Sequence, residues 1–339
     1  MSVRSPILAL TALLTSAPVL AQSAQPAQER RATEPLGIAM EGHPSPYPVQ
    51  FLPVTVEGQD LRMAYMDVKP TARANGRTVV LLHGKNFFGA YWQNTIRALS
   101  GAGYRVVVPD QVGFGRSSKP DIHYSFHTLA SLTKGLLDSL GIKETAVVGH
   151  SMGGMLATRF ALMYPEATTH LVLENPIGLE DYREKVPWQS TEAHYREQLK
   201  ATEEGTRKYH QTYYVKWKPE YDVWVQLFAR QLQSGEYPRL AWVSAATSQM
   251  IYEQPVSHEF PNVKPRTLLV LGQEDRTFIG RGKVPPDVAA TLGQYPQLGK
   301  AVAKALPNAS LVELPGVGHI PHLEAPEKFH SELLGFLGK

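Results

Sequence analysis

Compact runs of apolar residues recur along the chain from about residue 48. The first two, PVQFLPVTV and LRMAYMDV, predict an early pair of strands. Six further runs follow: RTVVLLHG, YRVVVPD, TAVVGH, THLVLEN, RTLLVLG and ASLVELPG. Continuous Val and Leu runs, rather than alternating ones, are typical of central strands that helices bury on both faces. The pattern therefore predicts a mostly parallel sheet.

Segments with helical periodicity separate these runs. NTIRALSGAG precedes YRVVVPD, FHTLASLTKGLLDSLG precedes TAVVGH, and MLATRFALMYP follows it, with glycine and proline at the ends of the segments. Strands that alternate with helices predict an α/β fold, here a mostly parallel central sheet flanked by helices. The core of this fold is expected to span residues 46–176 and 262–339.

One region departs from this alternation. Between residues 177 and 261 no compact Val and Leu run occurs, and helical periodicity dominates. Four of the five tryptophans fall in this region: Trp188, Trp217, Trp224 and Trp242. We therefore predict a helical cap, residues 177–261, inserted after the sixth strand.

The N-terminus has the order of a secretory signal. Arg4 precedes an apolar run that ends in the small-residue cleavage site Val-Leu-Ala at residues 19–21. The run is shorter than the roughly 20 residues of a membrane-spanning helix, and Pro18 interrupts it. Residues 1–21 are thus expected to be a signal peptide, so that the mature protein is exported to the periplasm or secreted, without stable membrane insertion. Residues 22–45, rich in Gln, Ala and Pro, are expected to form a flexible lead-in.

The composition excludes several classes of function. The 34 Lys and Arg residues nearly balance the 31 Asp and Glu residues, the formal net charge is +3, and no basic block is present. Nucleic-acid binding is therefore not expected. The chain has no cysteine, which rules out disulfides, thiol catalysis and cysteine-based metal sites. Its histidines lack a metal-ligand spacing such as H-E-x-x-H, so no metal or organic cofactor is expected.

One serine has the spacing of a catalytic nucleophile. The stretch Gly149-His150-Ser151-Met152-Gly153 fits the pattern G-x-S-x-G between a predicted strand and a predicted helix. A sharp turn there would strain the serine and lift its hydroxyl above the sheet edge, and the glycines would allow close packing. The N–H of Met152, at the start of the helix, would point to where an oxyanion forms. The alternative is an ordinary serine N-cap in a glycine-rich turn.

A serine hydroxyl needs a base, and a carboxylate orients that base. Downstream, LLVLGQEDRTF places Asp275 directly after a strand, and His319 lies in a glycine-flanked loop before the last helix. Serine, then aspartate, then histidine is one of the chain orders in which such triads occur. Glu174, at the end of THLVLEN, is an alternative carboxylate. His322 lies close to His319 but leads into the last helix, where a role on the helix face is expected.

The loop LLHGKNFFGAYW can supply a second oxyanion donor. After His83-Gly84 we predict the N–H of Lys85 for this role, with Asn86 as the neighbouring candidate. His83 itself is expected to tie down its loop. A further glycine-rich loop, DQVGFGRSSKP, lacks the glycine spacing and the acidic residue of a dinucleotide site.

Together these motifs resemble those of the α/β-hydrolase superfamily, in its serine-nucleophile, cap-bearing, esterase-like branch. The resemblance runs from about residue 48 to the C-terminus through HG-x (83–85), D-x-x-G-x-G-x-S (110–117), GHSMGG (149–154), GQED (272–275) and GVGH (316–319). It implies the fold and a triad of Ser151, His319 and Asp275, but the motifs are poor guides to substrate. Related epoxide hydrolases and haloalkane dehalogenases carry Asp as nucleophile, so Ser151 argues against both. C–C bond hydrolases and cofactor-free perhydrolases share the serine.

The expected activity is hydrolysis of a small or medium carboxylic ester, a small-molecule substrate, through an acyl-enzyme on Ser151. The alternatives are C–C bond hydrolysis or perhydrolysis by the same triad, and a ligand-binding module of the same fold. In the predicted cap, Trp217, Tyr221, Trp224 and Phe228 recur at helical spacing. Trp217 and Trp224 are candidate substrate contacts. The alternative is that these four aromatic residues form a face through which the cap packs on the core.

Overall fold

The computed structural model describes Met1 and residues 34–338. The predicted signal peptide, apart from Met1, and residues 22–33 of the lead-in lie outside the described residues. The strands are β1 (Val49–Val56), β2 (Gln59–Val68), β3 (Thr78–Leu82), β4 (Arg105–Pro109), β5 (Thr145–His150), β6 (Thr168–Glu174), β7 (Arg266–Gly272) and β8 (Ala309–Leu314). Each apolar run singled out in the sequence forms one of these strands.

The strands of the described chain form an eight-stranded sheet in the order β1-β2-β4-β3-β5-β6-β7-β8. Strand β2 pairs antiparallel with β1 and with β4, and every other pair of neighbours is parallel. Parallel neighbours need a crossover connection, and the helices between the strands provide it. The prediction of an α/β fold with a mostly parallel, helix-flanked sheet is confirmed.

The α-helices of the described residues follow the strands in chain order. They are α1 (Gln93–Gly101), α2 (Phe126–Ser139), α3 (Met152–Met163), α4 (Thr191–Gln198), α5 (Glu203–Gln211), α6 (Asp222–Leu232), α7 (Tyr237–Glu253), α8 (Pro286–Ala289), α9 (Tyr295–Ala305), α10 (Pro321–Glu324) and α11 (Pro326–Leu337).

Strand β5 lies in the centre of the sheet, between β3 and β6, and all of its residues are buried. The register places Gly149 beside Leu82 of β3 and Leu173 of β6. Strand β5 ends at His150 and α3 begins at Met152, so the turn between strand and helix consists of Ser151 alone. The fold therefore presents this serine at the carboxyl edge of the parallel strands, where open α/β sheets bind their ligands.

Glycine is required where this turn packs on its neighbours. A Cβ atom on Gly149 would lie 2.1 Å from the carbonyl oxygen of Gly153, and one on Gly153 would lie 2.2 Å from that of Leu82. Both contacts are with backbone atoms, which cannot rotate away as a side chain can. The two glycines of the G-x-S-x-G motif therefore let β5, α3 and β3 approach closely around Ser151.

Residues 175–265, between β6 and β7, contain α4, α5, α6 and α7 and no strand. We call this segment the helical insertion. It includes the stretch 177–261, which the sequence predicts to be helical. The hydroxyl of Tyr237, at the start of α7, donates to the carbonyl oxygen of Gln198, at the end of α4, over 2.7 Å. This bond joins the first helix of the insertion to the last.

Part of the predicted flexible lead-in is packed. Leu36, Ile38 and Met40 are buried, and the N–H of Leu36 donates to the carbonyl oxygen of Arg230 over 3.0 Å. The side-chain amide of Gln231 donates to the carbonyl oxygen of Ile38. The expectation that the lead-in stays flexible to residue 45 is therefore wrong for this stretch, because its alternating apolar residues pack near the end of α6.

None of the described helices combines the length and the apolar character that a helix needs to span a bilayer.

We predict opposite effects of alanine at two glycines, Gly149 in strand β5 and Gly135 in helix α2. Gly149→Ala is expected to lower the free energy of unfolding by about 3 kcal/mol, because the new methyl group meets the backbone of Gly153. Gly135→Ala, in α2, meets no heavy atom within 4 Å and is expected to raise it by about 0.5–1 kcal/mol. Urea denaturation measures both; equal effects would contradict the close approach at Gly149.

Candidate active site

Ser151 has a strained backbone conformation. Its φ is 57° and its ψ is −120°, values that a side-chain-bearing residue rarely adopts and that are often found where function requires them. The N–H of Ser151 donates to the carbonyl oxygen of Glu174, and the N–H of Gly154 donates to that of Ser151. The turn is thus fixed on both sides, as the nucleophile interpretation of G-x-S-x-G predicts. Ser151 does not cap α3 through its side chain, which argues against the N-cap alternative.

The structure brings Ser151, His319 and Asp275 together. The Nε2 atom of His319 lies 3.0 Å from Oγ of Ser151, and its Nδ1 atom lies 2.7 Å from Oδ2 of Asp275. His319 and Asp275 are each 1% exposed. Because a carboxylate accepts hydrogen bonds, Nδ1 carries the ring proton and Nε2 is free to accept the serine proton. The geometry is that of a Ser-His-Asp triad.

Asp275 is held as a carboxylate by several donors. Its oxygens accept hydrogen bonds from the side-chain amide of Asn175, over 2.8 Å, and from the N–H of Thr277, over 2.7 Å. Burial acts to raise the pKa of Asp275, but the His319 ring and these bonds outweigh it and hold the pKa below its ordinary value. Asp275 therefore stays charged and can stabilise a protonated His319.

Asn175 is a residue that the sequence reasoning missed. It follows β6, has a φ of 35°, and its Oδ1 accepts the N–H of Gly272 at the end of β7 over 2.9 Å. One side chain thus links the ends of two neighbouring strands and orients Asp275. The signal in the sequence is the polar pair Glu-Asn at the end of the apolar run THLVLEN.

Glu174, the alternative carboxylate, has a different partner. Its oxygens lie 2.9 and 3.0 Å from Nδ1 of His322 and accept the N–H of the same residue over 2.7 Å. Burial raises the pKa of Glu174 well above its ordinary value and lowers that of His322 well below its own, so the surroundings of each group disfavour its charged form. The structure brings Asp275, and not Glu174, to His319.

The predicted oxyanion donors lie beside the serine. A Cβ on Gly84 would stand 3.2 Å from Cβ of Ser151, so the loop that continues with Lys85 passes directly over the nucleophile. The N–H of Gly84 donates to the hydroxyl of Tyr91. Within the described residues, the N–H groups of Lys85 and Met152 donate no hydrogen bond. These two donors remain the predicted oxyanion hole.

Tyr213, from the helical insertion, covers the base. Its ring stacks on that of His319 with centroids 4.9 Å apart and an angle of 27° between the planes. The N–H of His319 donates to the carbonyl oxygen of Tyr213 over 2.6 Å, and the side chain of Asn86 donates to its hydroxyl over 2.7 Å. No local pattern in the sequence indicates this contact, because Tyr213 is one of several aromatic residues in YHQTYYVKW.

The two candidate substrate contacts in the insertion differ in position. Trp224 packs edge-on against Phe87 and Phe88 and lines a cavity beside the site. Trp217 instead packs against Tyr214 and Tyr221 and is not part of the cavity wall. Of the two tryptophans, Trp224 therefore lines the cavity and Trp217 packs within the insertion.

The cavity has a volume of about 520 Å³. Its wall includes the loop residues 85–88, which follow Gly84, and residues of the insertion such as Tyr209 and His210. Among the described residues that line it there are cationic side chains and no Asp or Glu; the cations are Lys85, Lys119, Lys200, Arg281 and Lys283. The wall is linked to the nucleophile through Gly84, which precedes Lys85 and lies against Ser151, and a concave space of this size is the expected place for a small-molecule substrate.

Two lysines of the wall are held in surroundings that disfavour their charge. Burial lowers the pKa of Lys85 to about 8 and that of Lys119 to about 7. Among the described residues, the ammonium group of Lys85 donates to two oxygens of Ser244, its carbonyl and hydroxyl, each over 3.0 Å. Lys119 similarly donates to backbone carbonyl oxygens, among them that of Ser117 over 2.8 Å. Burial is the cause of the lowered pKa of Lys85, whereas for Lys119 burial outweighs the opposing effect of Asp110 and Glu41.

No group of three or more His, Asp or Glu residues in the described part of the chain is arranged to hold a metal ion.

Residues 79–332 match the model of the alpha/beta hydrolase family. The chain is 48% identical to a probable hydrolytic enzyme from Pseudomonas aeruginosa, whose crystal structure superposes with a TM-score of 0.88 over 90% of this chain and 98% of that one. It is 29% identical to the 2-hydroxy-6-oxononadienedioate/2-hydroxy-6-oxononatrienedioate hydrolase of Paraburkholderia phymatum, over 86% of this chain and 96% of that protein. The chain is 28% identical to the 2-hydroxy-6-oxo-6-phenylhexa-2,4-dienoate hydrolase of Burkholderia cepacia, over 77% of this chain and 88% of that protein.

The sheet, the serine turn and the match to the family model together show that the chain belongs to the α/β-hydrolase family. The resemblance of the motifs to the α/β-hydrolase superfamily is confirmed.

We predict that Asn175→Asp makes stability fall with rising pH. The variant keeps an oxygen for the N–H of Gly272 but places a second carboxylate beside Asp275, so that one of the two acquires a raised pKa. A raised pKa in the folded state means stability present at low pH and lost as pH rises. Relative to wild type, the free energy of unfolding should drop by about 3 kcal/mol between about pH 4 and pH 7.

The control is Asn308→Asp, at an exposed position where the side chain's partner among the described residues is the backbone carbonyl oxygen of Lys264. Its pH profile should follow wild type. A wild-type profile for Asn175→Asp would contradict the contact with Asp275.

Proposed function

We propose that this α/β-hydrolase cleaves a carbon–carbon bond next to a ketone in a small anionic substrate, with Ser151 as nucleophile, His319 as base and acid, and Asp275 as the carboxylate that orients His319. The observation that carries the proposal is the buried contact of these side chains, 3.0 Å from Ser151 to His319 and 2.7 Å from His319 to Asp275. The reaction needs only these groups, water and donors for the oxyanion.

The steps follow from the geometry. Oγ of Ser151 bonds to the ketone carbon while its proton passes to Nε2 of His319, and the N–H groups of Lys85 and Met152 stabilise the oxyanion. Cleavage requires the keto form of the substrate, in which the proton of the enol hydroxyl has moved to the carbon next to the ketone and that carbon is saturated. The bond from the ketone carbon to this saturated carbon then breaks, and its electron pair delocalises into the unsaturated keto acid as an enolate. His319 protonates that fragment. Water, deprotonated by His319, hydrolyses the acyl ester on Ser151, and the proton returns to the serine.

Two observations support the C–C bond and the anionic substrate over the ester first expected. The cavity wall carries cations and no Asp or Glu within the described residues, which suits a substrate with one or two carboxylates. Two relatives that align along most of their length are named for hydrolysis of unsaturated oxo acids. The bond that such acids offer lies next to their ketone.

Ester hydrolysis is the second candidate, and the N-terminus favours it. Residues 1–21 have the order of a secretory signal, and an exported enzyme meets esters more readily than the intracellular products of aromatic ring cleavage. The same triad performs both reactions, because an ester carbonyl and a ketone carbonyl are attacked alike and differ in the group that leaves.

We predict that the purified protein hydrolyses 2-hydroxy-6-oxo-6-phenylhexa-2,4-dienoate with a higher kcat/KM than p-nitrophenyl esters. Loss of dienoate absorbance measures the first reaction, and release of nitrophenol measures the second. Ser151→Ala should lower both by about 10⁴-fold or more, since no other described group replaces the nucleophile. A fluorophosphonate probe should label wild type and neither Ser151→Ala nor His319→Ala.

The outcomes separate the alternatives. Ester cleavage without dienoate cleavage would favour the second candidate. Labelling of Ser151 without cleavage of either substrate would contradict the proposed bond but retain an activated serine. Absence of labelling in folded wild type would contradict the triad and favour the ligand-binding alternative.

We predict that Lys85→Met raises KM for the dienoate by about tenfold. This factor corresponds to the loss of about 1.4 kcal/mol of binding free energy from the pairing of the ammonium group with the substrate's carboxylate. The substitution removes the ammonium group and keeps the N–H assigned to the oxyanion hole. KM for neutral p-nitrophenyl acetate should stay within about twofold of wild type. Because the pKa of Lys85 is about 8, kcat/KM of wild type for the dienoate should fall above that pH, and that of Lys85→Met should not.

Lys143→Met, at an exposed position away from the cavity wall, serves as the control and should leave both substrates unaffected. An equal loss for anionic and neutral substrates in Lys85→Met would show that the lysine acts through folding or the oxyanion hole, and would overturn its role in substrate recognition.

A further inference from the structure

A chain of buried hydrogen bonds runs behind the triad. The N–H of Gly84 donates to the hydroxyl of Tyr91 over 2.9 Å, and that hydroxyl lies 3.0 Å from Nδ1 of His150. The other ring nitrogen of His150, Nε2, lies 2.8 Å from the carbonyl oxygen of His319. Tyr91 and His150 are 2% and 0% exposed. None of these groups takes part in the steps described above.

Chemistry fixes the direction of every bond in this chain. A carbonyl oxygen only accepts, so Nε2 of His150 must carry a proton and donate to His319. Burial, then the nearby His319 and His322, lower the pKa of His150 well below its ordinary value, so the ring is neutral and Nδ1 is an acceptor. The Tyr91 hydroxyl therefore donates to Nδ1 and accepts from Gly84. All the dipoles point one way, an arrangement in which each bond strengthens the next.

The two ends of the chain are parts of the proposed catalytic apparatus. Gly84 precedes Lys85, whose N–H is assigned to the oxyanion hole, and His319 is the base. The middle member, His150, precedes the nucleophile. The fit around it is close, because a Cβ on Gly84 would stand 3.0 Å from Nδ1 of His150. One side chain thus contacts the oxyanion loop on one side and the backbone of the base on the other.

We infer that His150 and Tyr91 are positioning residues that hold the oxyanion loop and the backbone of His319 at a fixed distance on either side of Ser151. The inference rests on the proposed roles of Ser151, His319 and Lys85. Neither side chain touches the substrate. Their effect is on the transition state, because misplacement of an oxyanion donor or a base by about 1 Å costs about 100-fold in rate while substrate binding in the cavity is unaffected.

The test is Tyr91→Phe, which removes one hydroxyl and keeps the ring. It leaves the N–H of Gly84 without its acceptor and Nδ1 of His150 without its donor. We expect kcat to fall about tenfold or more, with KM within about twofold of wild type. The rates are divided by the concentration of active sites, titrated by the fluorophosphonate probe, so that partial unfolding does not imitate the effect.

Tyr182→Phe is a matched control. Tyr182 is also a buried tyrosine whose hydroxyl accepts the N–H of a glycine, Gly178, over 3.1 Å, but it is not linked to His150. Both variants leave a glycine N–H without its acceptor, and Tyr91→Phe also leaves Nδ1 of His150 without its donor. Tyr91→Phe should therefore lose at least as much thermal stability as Tyr182→Phe, whereas only Tyr91→Phe should lose kcat.

The histidine is tested by two further variants. His150→Gln retains an acceptor and a donor on one side chain, and His150→Phe retains neither. The glutamine variant should keep more of the wild-type kcat than the phenylalanine variant at equal KM. In wild type, ¹⁵N NMR should find a neutral His150 with its proton on Nε2, and this readout holds whether or not the substrate proposal is correct.

Three results would overturn the inference. They are equal kcat values for Tyr91→Phe and Tyr182→Phe, equal kcat values for the two His150 variants, and a His150 proton on Nδ1. Failure of the proposed function gives a different result, since wild type itself would then show no labelling by the probe and no turnover.

Discussion

Backbone contacts that leave no space for a Cβ atom hold the reacting side chains together. At the end of β5, Gly149 meets the carbonyl oxygen of Gly153. At the end of β7, a Cβ on Gly272 would lie 2.0 Å from the carbonyl oxygen of Gly318, the residue before His319. The first contact sets Ser151 above the sheet, and the second lays the His319 loop against the strand that ends before Asp275. Because both contacts are made by backbone, the geometry of the site is tied to the sheet and not to side-chain packing.

Two carboxylates at neighbouring strand ends show how local donors decide ionisation. Asp275 and Glu174 are both fully buried, and burial alone favours the protonated form of each. Donors from Asn175, Thr277 and His319 reverse this for Asp275, and its pKa is lowered. Glu174 faces His322, whose own pKa is lowered, and the pKa of Glu174 is raised. Asp275 thus supplies the negative charge that stabilises a protonated His319, whereas the surroundings of Glu174 disfavour a charge there.

The sequence predicted those parts of the molecule that local pattern encodes. Apolar runs indicated every strand of the sheet, and strand-end position brought out Ser151, Asp275 and His319, which the structure places in contact. Contacts between distant segments were not predicted. Tyr213 reaches His319 from 106 positions away along the chain only after the insertion has folded, and residues 36–40 pack against a helix that begins almost two hundred positions later. The composition of residues 36–40 indicated a flexible lead-in. Periodicity within a short window carries no information about partners that lie far away along the chain, so this packing could not be predicted.

The reacting side chains do not by themselves decide between an ester and a C–C bond. In an ester the departing group is an alkoxide, which any nearby acid can protonate. In a C–C cleavage it is a carbanion, which departs only if conjugation to an acceptor delocalises its charge. The acceptor in an unsaturated oxo acid ends in a carboxylate, so an enzyme for such a substrate must bind that anion away from the serine. Lys85 follows Gly84, which lies against Ser151, and its ammonium group stands in the cavity wall, where its partners among the described residues are the oxygens of Ser244. A single residue can therefore stabilise charge at the carbonyl and at the far end of the substrate, and this is the feature of the site that an ordinary ester would not need.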